Sequence, residues 1–220
     1  MLGILLLPVI AGMGLAVWQL AAKAGLPDTT GVPLVAGATC MVILYFVVPK
    51  PMWVYVFGHE FTHALAAMSC GGRVKGMKVT AGGGHVLVTK DNFFITLAPY
   101  FVPIYTGGII AGFLLARHFW GWNGPWAWGA FCWGLGLTYA FHVLLTLNIL
   151  RTRQPDITSQ GVFFSVAIIA AGNLLAILAA LPLLMPAVGW TAVGTEVLTS
   201  TWQILQAFGG WAAAAWNVVS

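Results

Sequence analysis

The chain has 220 residues, 60% of them hydrophobic and only 6% charged, with a formal net charge of +4 and a mean hydropathy of +0.92. A soluble globular chain carries roughly 25% charged residues, so these figures exclude an ordinary soluble domain and indicate a polytopic membrane protein. The excess of Lys and Arg reports orientation in a membrane, not affinity for nucleic acid; Cys40, Cys70 and Cys132, without a CxxC pair, suggest neither a disulfide framework nor a zinc knuckle.

Residues 3–22 form the first apolar run, closed by Lys23. No basic stretch precedes it, so a retained span is expected in place of a cleaved signal peptide. Gly25-Leu26-Pro27-Asp28 reads as a turn, and a second run over about 33–48 stops at Pro49-Lys50-Pro51. A third helix is predicted over about 52–69, ended by Cys70-Gly71-Gly72. The stretch 73–90 has a different texture. Two β-like segments, 74–80 and 85–89, flank Ala81-Gly82-Gly83-Gly84, which predicts a hairpin with a glycine turn. Further apolar runs cover about 93–116, 126–150 and 161–185, and 190–218, which holds Glu196, either spans or lies along the interface. The predicted fold is an all-α polytopic membrane protein of about six transmembrane helices, with a short β-hairpin after the third and an extra C-terminal helix.

Six alternating spans place Lys23, Arg73, Lys75, Lys78, Lys90, Arg151 and Arg153 on one side and Lys50 and Arg117 on the other. Seven against two makes the first side cytoplasmic and puts the N-terminus outside. Trp120, Trp122, Trp126, Trp128 and Trp133 gather around the opposite loop, where an aromatic belt and ordinary packing both account for them.

The third helix carries His59-Glu60-Phe61-Thr62-His63. Ionisable groups inside a hydrocarbon span are costly and mark function by default. At ~100° per residue the two imidazoles sit about 40° apart around the helix and about 6 Å apart along it. Both can therefore reach one zinc ion, and Glu60 can take the proton of a zinc-bound water. A plainer reading has the histidines hydrogen-bonded to carbonyls between helices, which leaves three ionisable groups buried without benefit. Catalytic zinc also needs a third protein ligand. His63 is predicted roughly 10 Å from the cytoplasmic end of its helix. Asp156 follows the fifth span on that side and leads the candidates, ahead of His142 within that span; His85 and Asp91 beside the hairpin stay open. Asp28 precedes a separate span, and His118 and Glu196 fall at the wrong face. The hairpin edge could receive an unwound segment by strand addition, with Gly82, Gly83 and Gly84 permitting close backbone approach.

Three features stand in order: the pentad followed by Ala64; Gly71-Gly72-Arg73-Val74 with the glycine-rich region behind it; and Asn148 eight residues before Asp156. Over about residues 50–185 the chain thereby resembles the site-2 protease family of intramembrane zinc metalloproteases. The resemblance implies His59, His63 and Asp156 as zinc ligands, Glu60 as general base and Asn148 near the substrate. It implies hydrolysis of peptide bonds within or near transmembrane segments of membrane proteins. The organisation expected is two N-terminal spans in 1–50, a metalloprotease core in 51–186 and a C-terminal segment in 187–220. Ile157 and Arg151 depart from the family pattern, which usually has glycine and proline at those places. The partners expected are a transmembrane substrate and the lipid bilayer of a prokaryotic cytoplasmic membrane, with the site nearer the cytoplasmic face and no nucleic acid; the residues are silent on oligomeric state. The alternative is a non-catalytic membrane zinc-binding protein or degenerate protease homologue, against which Glu60 speaks, since metal binding alone does not need that carboxylate.

Overall fold

The computed structural model describes residues 2–80 and 82–219. The chain forms α1 (Leu2–Ala24), α2 (Asp28–Val47), α3 (Met52–Ser69), β1 (Val74–Thr80), β2 (Gly83–Val88) and α4 (Phe93–Leu97), the last running into a 3-10 turn at Ala98–Tyr100. Then follow α5 (Ile104–Trp120), α6 (Pro125–Ile149), α7 (Pro155–Gln160), α8 (Val162–Leu184) and α9 (Trp190–Val219). Asp28, read from the sequence as part of a turn, opens α2.

Among the described residues, Gly3–Ala24, Asp28–Val47, Pro125–Ile149 and Val162–Leu184 are the four helices long and apolar enough to cross a membrane. A fifth crossing results if Phe93–Tyr100 and Ile104–Trp120, bent by 77°, form one broken span. The predicted run 93–116 is thus two helical pieces. Pro103 at the break lacks an N–H and disfavours helical geometry in the residue before it. The helix bearing the pentad, α3, is not in this set, because His59, Glu60, Thr62, His63 and Ser69 dilute its apolar content.

The chain divides into two compact units. In one, α1 packs on α8 and α9; Gly12 lies against the Thr201 backbone, and Lys23 Nζ donates to Glu196 at 2.9 Å. The segment left undecided by the sequence, 190–218, lies within the continuous helix α9.

The other unit is built on α2, α5 and α6. A Cβ at Gly37 would meet the Trp133 carbonyl oxygen, and one at Gly136 that of Leu34. Small residues allow membrane helices to pack backbone to backbone in this way. The pair is parallel. Trp128 Nε1 donates to Thr30 Oγ1 at 3.0 Å near the helix starts, and Tyr45 OH donates to Asn148 Oδ1 at 3.1 Å near their ends. Helix α5 runs antiparallel to α6, with Phe113 stacked on Phe131 (centroids 4.2 Å apart) and Tyr105 against Phe141 (5.5 Å). Replacing Gly136 with Ala is expected to cost about 1–3 kcal/mol through overpacking. The same change at Gly112, which faces open space, is expected to cost nothing; unfolding temperatures in detergent check the contrast.

The parallel pair corrects the six-span alternation, which makes 33–48 and 126–150 antiparallel. Helix α3 starts where α2 and α6 end, with Tyr55 and Val56 buried against Leu145. Its second half packs Ala66 and Ala67 on Ile95 and Ala98. The chain then returns along α3: Tyr105 OH donates to the Val54 carbonyl, and Gly58 abuts the Tyr105 ring. Out along α3 and back through 93–105 is no net traverse of the bundle, and the chain returns between α2 and α6 along α5.

Beyond α3, Gly71 adopts φ 72°, the Gly72 N–H bonds to the Ala67 carbonyl at 2.7 Å, and Lys90 Nζ caps the Cys70 carbonyl at 3.0 Å. The predicted hairpin is present: β1 and β2 pair antiparallel from Val74↔Val88 to Thr80↔Gly83, with an irregularity between Val74 and Gly76. Gly83 and Gly84 belong to β2, so the predicted turn is shorter than the four residues expected; Ala81 lies outside the described residues.

Candidate metal centre

Successive turns of α3 place His59 and His63 on one face, their rings 4.9 Å apart and nearly perpendicular. Helix α6 ends at Ile149, and the short link to α7 brings Asp156 back over them. His59 Nε2 lies 3.4 Å and His63 Nε2 3.6 Å from Asp156 Oδ2. With bonds of about 2.0–2.2 Å to one ion, tetrahedral ligands stand roughly 3.4 Å apart. These separations fit that edge, and one donor atom from each residue lies within 4.8 Å of the others. The three residues could hold a metal ion.

The surroundings prepare these donors. His63 Nδ1 bonds to the Ile95 carbonyl at 2.8 Å; as donor to a carbonyl it must carry the proton, leaving the Nε2 lone pair for a metal. Ile95 is itself fixed, because Asn92 caps α4 by accepting from its N–H at 2.9 Å. Tyr100, fully buried in the 3-10 turn, donates to Asp156 Oδ2 at 3.0 Å, with its ring 5.2 Å from that of His59. Burial alone would push the Asp156 carboxyl up, but the His59, His63 and Tyr100 contacts hold it well below the usual carboxylate range. One segment, 92–100, thus supports both a histidine and the carboxylate. Tyr100→Phe keeps the ring and removes the hydroxyl. Metal affinity is expected to fall about 10–100-fold, as for other outer partners of metal ligands, measured by chelator competition.

Glu60 is 7% exposed, buried on α3 under β2. A Cβ at Gly84 would lie 2.7 Å from Glu60 Cγ and 2.9 Å from Val56 Cγ1, so only glycine lets β2 come this close. A cavity of about 600 Å³ opens beside these groups, lined by His59, Glu60, His63 and Asp156, by Gln154 and Ser159, and by every residue of β2. Side chains alternate along a strand, so a cavity touching six consecutive residues abuts the edge of β2, the one not paired with β1.

The other sequence candidates separate cleanly. His85 and Asp91 line the cavity, while Asp91 accepts from the Thr96 hydroxyl at 2.8 Å. His142 is buried within α6 near Tyr139, away from the cavity lining. Asn148 is also absent from that lining, and its amide oxygen is engaged by Tyr45 of α2. Asp28 begins α2, His118 packs its ring on Phe119, and Glu196 pairs with Lys23. A Cβ on Gly82 or Gly83 would meet nothing; the close approach falls at Gly84 and is to Glu60. Sequence reasoning missed Tyr100 and Asn92. Asn before an apolar run is an N-cap signal; nothing marks Tyr100. No protein-family model, curated protein or solved structure matches the chain.

Proposed function

We propose that the protein is a membrane zinc metalloendopeptidase that hydrolyses peptide bonds within or near transmembrane segments, in the manner of the site-2 protease family its motifs resemble. The observation that carries this reading is the adjacency of Glu60 to a three-donor metal group in a cavity bordered by a free strand edge. Two imidazoles and one carboxylate are a common set for catalytic zinc, with room for a fourth ligand. Bound zinc supplies Lewis acidity toward the scissile carbonyl and toward water.

The chain's own residues do the rest. The unpaired N–H and C=O groups of β2 receive an unwound substrate as an added strand, which lays its backbone across the cavity. Glu60 takes a proton from the attacking water and delivers it to the departing amine nitrogen. The Tyr100 hydroxyl and the Ile95 carbonyl hold Asp156 and His63 in place throughout. A metal-binding protein without catalysis has no use for a carboxylate held beside the donors by a glycine contact.

The test is metal analysis and cleavage in one preparation. Purified protein in detergent is expected to hold equimolar zinc and to cut a transmembrane peptide; a chelator stops cleavage and added zinc restores it. Cleavage indifferent to chelation, or a preparation that binds no zinc, overturns the proposal.

A further inference from the structure

Helix α3 has two unlike faces. Trp53, Phe61, Leu65 and Met68 are exposed and Phe57 is half-buried. Their spacing makes one stripe, on which Trp53 stacks with Phe57 at 5.8 Å and Phe57 with Phe61 at 5.7 Å. At ~100° per residue the stripe is centred roughly 160° from the two histidines. The histidine face meets the hairpin and the cavity, while Trp53, Phe61, Leu65 and Met68 stay exposed on the other face. An exposed apolar patch of this kind marks a surface that something covers.

The direction of α3 says what covers it. Segment 93–105 runs back along α3, and Phe93–Tyr100 is bent 77° from α5. Because α5 follows the apolar α2 and α6, α3 lies across the bundle, at the end where α2 and α6 finish. That end also collects charge. The second unit holds eight Lys and Arg. Lys50, Arg73, Lys75, Lys78, Lys90, Arg151 and Arg153 occur in segments at the α3 end, and Arg117 alone at the other. That asymmetry is the positive-inside signature.

We infer that α3 is an interfacial helix lying in the plane of the cytoplasmic membrane surface, its Trp53-to-Met68 stripe among lipid acyl chains and its histidines turned to the hairpin and water. Aromatic and aliphatic residues on one face and basic residues close by are what such helices use to hold an anionic bilayer. The metal centre then works at headgroup level. For the peptidase reading, on which this last step rests, the substrate is a juxtamembrane stretch just beyond a transmembrane helix, which reaches the β2 edge without unwinding in the bilayer core.

Full-length protein with Cys40, Cys70 and Cys132 replaced, in phosphatidylcholine–phosphatidylglycerol vesicles, carries one spin label at a time at positions 53, 57, 61, 65 and 68. Depth is read from collisions with oxygen against a water-soluble nickel chelate. The expected result is five oxygen-accessible labels within about 5 Å of one depth, in the 5–10 Å range of interfacial helices. A crossing helix instead separates positions 53 and 68 by about 22 Å, at 1.5 Å per residue; that result, or labels shielded from oxygen, overturns the inference. In parallel, cysteines replacing Lys50 and Lys75 are expected to react with an impermeant maleimide from the same side of the vesicle, and reaction from opposite sides overturns it. Neither measurement reads zinc or cleavage, so the surface position and the peptidase reading can fail separately.

Discussion

Glu60→Gln is expected to leave zinc bound and to lower the cleavage rate by about 10²–10⁴-fold, the usual contribution of a positioned acid–base group. The amide has the shape of the carboxylate, so the tight fit under Gly84 survives and the hairpin stays seated on α3. His59, His63 and Asp156 are untouched, so metal content is unchanged. What disappears is the base. Zinc content and turnover measured on the same sample separate this from a folding defect. A variant that cuts at the wild-type rate removes Glu60 from the mechanism.

Asp156→Ala is expected to have a comparably large effect by the opposite route. Two histidines remain without the carboxylate that lies 3.4 and 3.6 Å from them. Affinity for zinc is expected to fall by more than the roughly 10–100-fold that follows loss of an outer partner, and cleavage falls with it. The Tyr100 hydroxyl also loses the Asp156 carboxylate it donates to. His142→Ala serves as the contrast, since that side chain lies within α6 away from the cavity, and zinc affinity is expected to stay at the wild-type level. Equal affinity in Asp156→Ala and wild type would move the third ligand to another cavity residue, His85 or Asp91.

The metal group was legible because its chemistry is written locally. HExxH spacing fixes the faces of one helix; Asp156 does reach them from the end of α6, but the span alternation that pointed to it in the sequence is the part the parallel α2–α6 pair overturns. The hairpin was legible for a similar reason: β-branched residues around glycines leave few alternatives. What the sequence did not carry was the direction of the helices. The run 93–116 reads as one apolar span, yet Pro103 and the pairing of Ile95 with α3 break it. Counting apolar runs therefore added a crossing at α3 that the parallel α2–α6 pair excludes. The Gly37 and Gly136 contacts that set this pair look, in one dimension, like glycines anywhere else in the chain. Tyr100 was equally silent, since a buried hydroxyl's partner is a matter of tertiary position.

The free edge of β2 bears on selectivity. Main-chain amides and carbonyls are common to every residue except proline, which lacks the donor, so an edge of this kind reads extension and little else. A peptidase built around it would take its instructions from which stretches come undone nearby, and proline placed near the scissile bond would be the natural way for a neighbouring protein to escape being cut.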